Sequence, residues 1–194
     1  EQPRFVNLPN AEVEPQTKET DWLDNIHGLC LESGLSFPPR LLRAFHTSLK
    51  TSDWTPLTVL GGVSGTGKSE LPRLYARFGG LAFEPLSVQP NWDGPQSMFG
   101  FFNSVDNRFN ATPLLRALVQ SQHGPDAEEY ENGLKNRLLL VLLDEMNLAH
   151  VELYFSDLLS KLELRRGEKE DVTLEVDLGA GLEEYRVPLG RNVL

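Results

Sequence analysis

Cysteine is nearly absent: the 194 residues hold one, Cys30. A single thiol closes no intrachain disulfide, so the fold rests on its core, and Cys30, on an apolar helical stripe, reads as packing. Basic charge is also scarce. Against 28 Asp and Glu stand 18 Lys and Arg, a formal net charge of −10. That balance withholds the clustered cations that grip a phosphate backbone and argues against nonspecific nucleic-acid binding by this segment. No apolar run approaches the roughly 20 residues a bilayer demands, so no membrane segment is expected. The opening "EQPRFVNLPN" has neither the basic nor the apolar region of a signal peptide, which makes cytoplasm the expected compartment. His27, His46, His123 and His150 share no ligand spacing with one another or with Cys30, and no structural metal is expected from them.

What is present is one domain's worth of chain, able to bury roughly 70% of its unfolded surface. Residues 1–20 carry Pro3, Pro9 and Pro15 without an apolar period and read as a linker or loosely docked arm. Residues 21–55 read as two helices. The first places Trp22, Leu23, Ile26, Leu29 and Cys30 on one side and stops at Gly34; the second starts at Ser36 and Pro38-Pro39 and shows Leu41, Leu42, Phe45 and Leu49.

From residue 56 the pattern becomes that of alternating strands and helices. "PLTVLGG", residues 56–62, predicts a strand entering a glycine loop, and a helix follows to Phe78 with Gly79-Gly80 as its stop. Pro72 falls within that helix, past the expected first turn, and predicts a bend. "LAFEPLSVQ" predicts a strand whose Pro85 lacks a ladder donor, placing it at a sheet edge. "PNWDGPQSMFGFFNSVDNRF" reads as a long structured loop, 113–122 as a helix, and "HGPDAEEYENG" as an acidic exposed loop. "RLLLVLLDE" is continuously apolar, as in a parallel strand covered on both faces. Val151 to Leu164 is amphipathic. "VTLEVDLGAGLEEYRVPLGRNVL" predicts a hairpin turning at Gly179 to Gly181 and leading into a further strand.

Two stretches carry chemistry. Gly62-Val63-Ser64-Gly65-Thr66-Gly67-Lys68-Ser69 satisfies G-x-x-x-x-G-K-[ST] at every fixed position, between a predicted strand and a predicted helix. The glycines let backbone N–H groups approach phosphates, and the helix N-terminus adds partial positive charge. Lys68 is expected to bridge the β- and γ-phosphates and the Ser69 hydroxyl to take one position on Mg²⁺. Asp144 and Glu145 close the buried strand, and ligands of open α/β sheets bind beyond the carboxyl ends of strands. Asp144 is expected to hold Mg²⁺ through water beside Ser69, and Glu145 to polarise the water that attacks the γ-phosphate, which favours hydrolysis over phosphoryl transfer to a small molecule.

"GVSGTGKS", "VQPNWDGPQSMFGFFN", "RFNATPLLRALVQ" and "LLDEMNLAHVELYFSDLLSKLE" together resemble the AAA+ ATPases of the McrB-like, MoxR-related branch. The likeness runs from about Leu41 to the C-terminus. The Trp92 to Gly100 loop and Asp144-Glu145-Met146-Asn147 narrow it beyond the phosphate loop. The resemblance implies a P-loop NTPase three-layer α/β/α sandwich with strand order 5-1-4-3-2, in which the second strand is an edge, as Pro85 independently suggests. It also implies a homo-oligomeric ring with nucleotide bound between subunits, ATP as the expected nucleotide and GTP as the alternative, and Mg²⁺. Its members power restriction or defence alongside an endonuclease subunit or domain, or remodel proteins, so the implied substrate, nucleic acid or protein, is met through other domains. A nucleotide-dependent assembly module without turnover is the reading from a different class.

The chain departs from the branch at His150, where Arg is more usual, and in lacking the sensor Asn, arginine finger and lid that follow "RNVL" in such proteins. The expectation is therefore a C-terminally incomplete core over 56–194, with a gap in its sheet where the fourth strand would lie. Residues near "GLSFPPR" and "LLRAFH" are where base contacts fall by resemblance, although Phe37 and Leu41 equally suit a core. Trp92, Phe99, Phe101 and Phe102 read first as the loop's own packing, with a pore or subunit contact as the alternative.

Overall fold

The computed structural model describes residues 18–127, 130–165, 172–179, 181 and 184–194, with side-chain surroundings left aside at 126, 127, 130 and 131. The arm expected over 1–20 lies mostly outside these residues. Its last two members belong instead to helix α1, Glu19–Glu32, because Glu19 accepts hydrogen bonds from Lys50 Nζ (2.6 Å) and His46 Nε2 (2.8 Å) of the next helix. Helix α2 is Pro39–Lys50 and α3 is Glu70–Gly79. Gly34 and Gly80, both at positive φ, end α1 and α3 as expected. Pro72 is the third residue of α3, not past its first turn. Helical bonding has already begun at Leu71 N–H, which donates to Gly67, so the proline leaves the next carbonyl, that of Lys68, without its helical donor.

The central feature is a parallel pair. Strand β1, Ala82–Ser87, runs beside the continuously apolar Leu139–Asp144, in register from Ala82 with Leu139 to Ser87 with Asp144. Ala82 and Val88 donate to the carbonyls of Leu138 and Asp144. The even-numbered N–H groups of β1 therefore face the partner strand, and Pro85 turns its missing donor to the free side, as an edge strand requires.

Between these strands in sequence lie α4 (Gln96–Phe99), a hairpin of β2 (Gly100–Asn103) and β3 (Arg108–Ala111), α5 (Pro113–Gln120) and a two-residue pair, β4 (Asp126–Ala127) with β5 (Tyr130–Glu131). The stretch expected as a loop thus contains a helical turn and a hairpin. Gly100, at φ 123°, permits the strands to close, since a Cβ there would run into the Asn110 carbonyl. The acidic side chains expected on the surface at 126–131 lie outside the described set. After the apolar strand, β6, come α6 (Val151–Tyr154), α7 (Ser156–Leu164), and an antiparallel hairpin, β7 (Thr173–Val176) with β8 (Tyr185–Pro188).

The two faces of the β1–β6 pair serve two cores. Leu139, Ala82 and Leu86 pack with α5, α7 and β7–β8 residues such as Leu114, Leu118, Leu158 and Val187. Leu140 joins Ile26, Leu42, Phe45, Leu74 and Tyr75 of α1–α3. Cys30 is buried among them. The architecture is a mixed α/β fold with helices on both faces of a small parallel sheet.

One expected strand does not form. Residues 56–62 are irregular, and among the described residues no backbone N–H from 56 to 63 donates to another backbone carbonyl. A cavity of about 1070 Å³ is lined both by Leu57–Leu60 and by Leu140–Leu143, so the segment has no ladder to join. Among the described residues, only Asn192–Leu194 pair on that side of β6. Leu139 N–H donates to Asn192 (2.7 Å), Leu194 N–H to Leu139 (2.8 Å) and Val141 N–H to Leu194 (2.9 Å), the start of a parallel ladder. Arg165, buried at the end of α7, fixes this segment by donating to the carbonyls of Gly190 (2.8 Å) and Val193 (3.0 Å).

Candidate functional site

The glycine loop takes the shape its composition allows. Gly62, Gly65 and Gly67 have φ of 151°, 79° and 83°, a region open chiefly to glycine. The Val63 carbonyl accepts from Thr66 Oγ1 (2.8 Å) and Lys68 Nζ (2.6 Å), closing the loop on itself. Leu71 N–H donates to Gly67 (2.9 Å), so helical bonding begins directly at the loop and α3 carries its N-terminus there. Phe37 packs behind it: a Cβ on Gly67 would lie 3.2 Å from the Phe37 ring. His27 Nε2 lies 3.0 Å from the Phe37 carbonyl oxygen, tying this residue to α1.

The same cavity is lined by Asp144, the last residue of β6, and by Glu145, which follows it. Asp144 is half-buried; its carbonyl accepts from Val88 N–H (3.0 Å), and its Oδ1 accepts from Glu145 N–H (3.1 Å). Glu145 is exposed and left-handed, with φ 58° and ψ 40°. A non-glycine residue held there stores roughly 1–3 kcal/mol, offset by its surroundings. Leu148 N–H donates back to Glu145 (2.9 Å), giving the 3₁₀ turn Met146–Leu148.

Gly62, Ser64, Gly65, Thr66, Gly67, Lys68, Ser69, Asp144 and Glu145 all line this one cavity. Val63 does not; its side chain points to solvent at 78% exposure and only its carbonyl serves the loop. A hydroxyl at Ser69 and a carboxylate at Asp144 are oxygen donors of the kind Mg²⁺ accepts when phosphates and water complete its octahedron. Among the described residues no group of three or more His, Cys, Asp and Glu side chains gathers to hold a metal by itself.

The remaining candidates sort by burial. Leu35, Ser36 and Phe37 line the cavity beside the loop; Phe37 is also core, and Leu41 is exposed outside it. Phe99 is buried, Trp92 and Phe102 are partly covered, and Phe101 faces solvent, so only Phe101 of the four aromatics stands free of the loop's own packing. His150 is exposed beside Glu152, with Nδ1 3.5 Å from its carboxylate. Sequence pattern did not mark Tyr154. A tyrosine in an apolar stripe, whose hydroxyl must find a partner once buried, was the available signal.

Comparison with protein-family models, with curated proteins and with solved structures returned no match. Among the described residues no helix is long and apolar enough to cross a membrane.

Proposed function

We propose that the chain is the nucleotide-binding and hydrolysing module of a ring-forming AAA+ motor resembling the McrB-like branch, cleaving ATP, or GTP, with Mg²⁺. One observation carries the reading: a phosphate-loop pattern with three glycines at positive φ and the Asp144-Glu145 pair line the same cavity. Backbone N–H groups and the start of α3 receive the phosphates, and Lys68 exchanges the Val63 carbonyl for a phosphate oxygen. Ser69 and Asp144 would hold Mg²⁺, which supplies charge neutralisation at the β- and γ-oxygens. Glu145 orients the attacking water and takes its proton. In the finer form of this proposal the β1–β6 pair belongs to a sheet of order 5-1-4-3-2, and the ring neighbour supplies an arginine finger worth about 10³–10⁵ in rate, so turnover by this chain alone is weak.

The test is displacement of a fluorescent nucleotide by ATP and by GTP in Mg²⁺, with Lys68→Ala beside the parent. Loss of a charge-assisted contact of roughly 1.5–3 kcal/mol predicts about 10- to 100-fold weaker binding in the variant. Glu145→Gln is expected to keep binding and lower hydrolysis by about 10²- to 10⁴-fold. Equal binding by Lys68→Ala overturns the site; binding without Glu145-dependent turnover leaves an assembly module in place of a hydrolase.

A further inference from the structure

Glu145 is useful only if a left-handed residue at the end of a strand keeps one orientation, and nothing in its own side chain enforces that. The next residue is held from elsewhere. Tyr154 of α6, fully buried, donates its hydroxyl to the Met146 carbonyl (3.1 Å). The Trp92 ring stands edge-on against Tyr154, with centroids 5.1 Å apart and planes at 81°. Trp92 N–H donates to Gln89 (3.1 Å), one residue beyond Val88, whose N–H holds the Asp144 carbonyl. The path from Asp144 through Val88, Gln89, Trp92 and Tyr154 to Met146 thus links the residues immediately before and after Glu145.

We propose that Tyr154, backed by Trp92, is a positioning residue that locks the Asp144–Leu148 turn and so aims the Glu145 carboxylate. The inference rests on the reading of Glu145 as the water-activating group. Burial raises the Tyr154 phenol above its ordinary range, so the hydroxyl remains a donor throughout the neutral range. The Met146 carbonyl fixes the peptide plane one residue after Glu145. The Glu145–Met146 plane, which sets ψ of Glu145 at 40°, is held by Leu148 N–H on the Glu145 carbonyl, and the Glu145 N–H is held by Asp144 Oδ1, so the Tyr154 bond on the next plane ties down a turn already bonded on both sides of Glu145.

Tyr154→Phe removes one oxygen and keeps the ring against Trp92. Amide exchange read by NMR should show Leu148, which bonds to Glu145, losing protection about tenfold, the effect of one hydrogen bond, while Ala82 and Leu71 keep theirs. An unchanged Leu148, a Leu148 that is already unprotected in the parent, or an equal loss at all three amides overturns the lock. In single-turnover hydrolysis the variant should lose about tenfold in rate at unchanged nucleotide affinity, the pattern of a misplaced group outside the binding contacts. Unchanged turnover with a loosened Leu148 overturns the aiming role. A parent that binds nucleotide without turnover removes the hydrolysis reading and with it the aiming of Glu145, whereas the exchange result still decides the lock.

Discussion

At residue scale the glycine loop separates two costs that usually travel together. Gly65 and Gly67 share a left-handed φ, 79° and 83°, but a Cβ at Gly65 meets nothing within 4 Å, whereas at Gly67 it meets Phe37. Alanine at 65 should therefore cost only the backbone strain, about 1–2 kcal/mol. Alanine at 67 adds displacement of a ring bonded through its carbonyl to His27, and should be the worse of the two in urea denaturation. Equal losses would mean that Phe37 yields freely and does not set the loop's shape. The pattern made these glycines legible because the motif is a list of backbone requirements. It was silent on Tyr154, whose partner is a main-chain carbonyl eight residues away and so has no signature in residue types.

At the scale of elements, α1, α2 and α3 are clasped by a chain of polar groups inside an aromatic cluster. His46 Nε2 faces the Glu19 carboxylate and Nδ1 lies 2.7 Å from the Tyr75 hydroxyl. Because a carboxylate only accepts, the neutral ring carries its proton on Nε2 and Tyr75 donates to Nδ1. Trp22 packs against both rings at 5.5 and 5.6 Å. The Lys50 hydrogen bond first, then that from His46, lowers the Glu19 carboxyl below its ordinary value of 4.5. A group whose folded pKa is depressed contributes stability that is complete above the unfolded value and is lost as pH falls through the folded one. The parent should therefore lose thermal stability relative to Glu19→Gln as pH drops from about 5 toward 3, with the two converging at the acid end. Parallel curves would show that the Glu19 contacts are made equally by the unfolded chain. The helices themselves were legible from apolar spacing and their glycine and proline ends. The clasp was not, since it joins residues 27 and 29 positions apart across three elements.

For the whole molecule, the decisive feature is a sheet that is anchored on one side of β6 and only begun on the other. Apolar pattern predicted strands at both 56–62 and 137–145, yet among the described residues only the second has partners. Pattern reports what must leave water; a strand also needs a neighbour with which to exchange hydrogen bonds, and the neighbour is a property of the assembled fold. The difference should appear as two levels of local stability. Leu57 to Leu60 line the cavity, and their amides, without backbone acceptors, should exchange within the dead time of a manual experiment, while Ala82 and Val141, bonded to Leu138 and Leu194, open only with the cores. Energetics should divide the same way. Leu140, 4% exposed and packed among α1–α3, is expected to cost about 2–5 kcal/mol as alanine. Val59, 77% exposed on the unpaired segment, should stay within about 0.5 kcal/mol. A large loss at Val59, or slow exchange across 57–60, would show that the segment has a strand partner in solution and that the cavity closes around it.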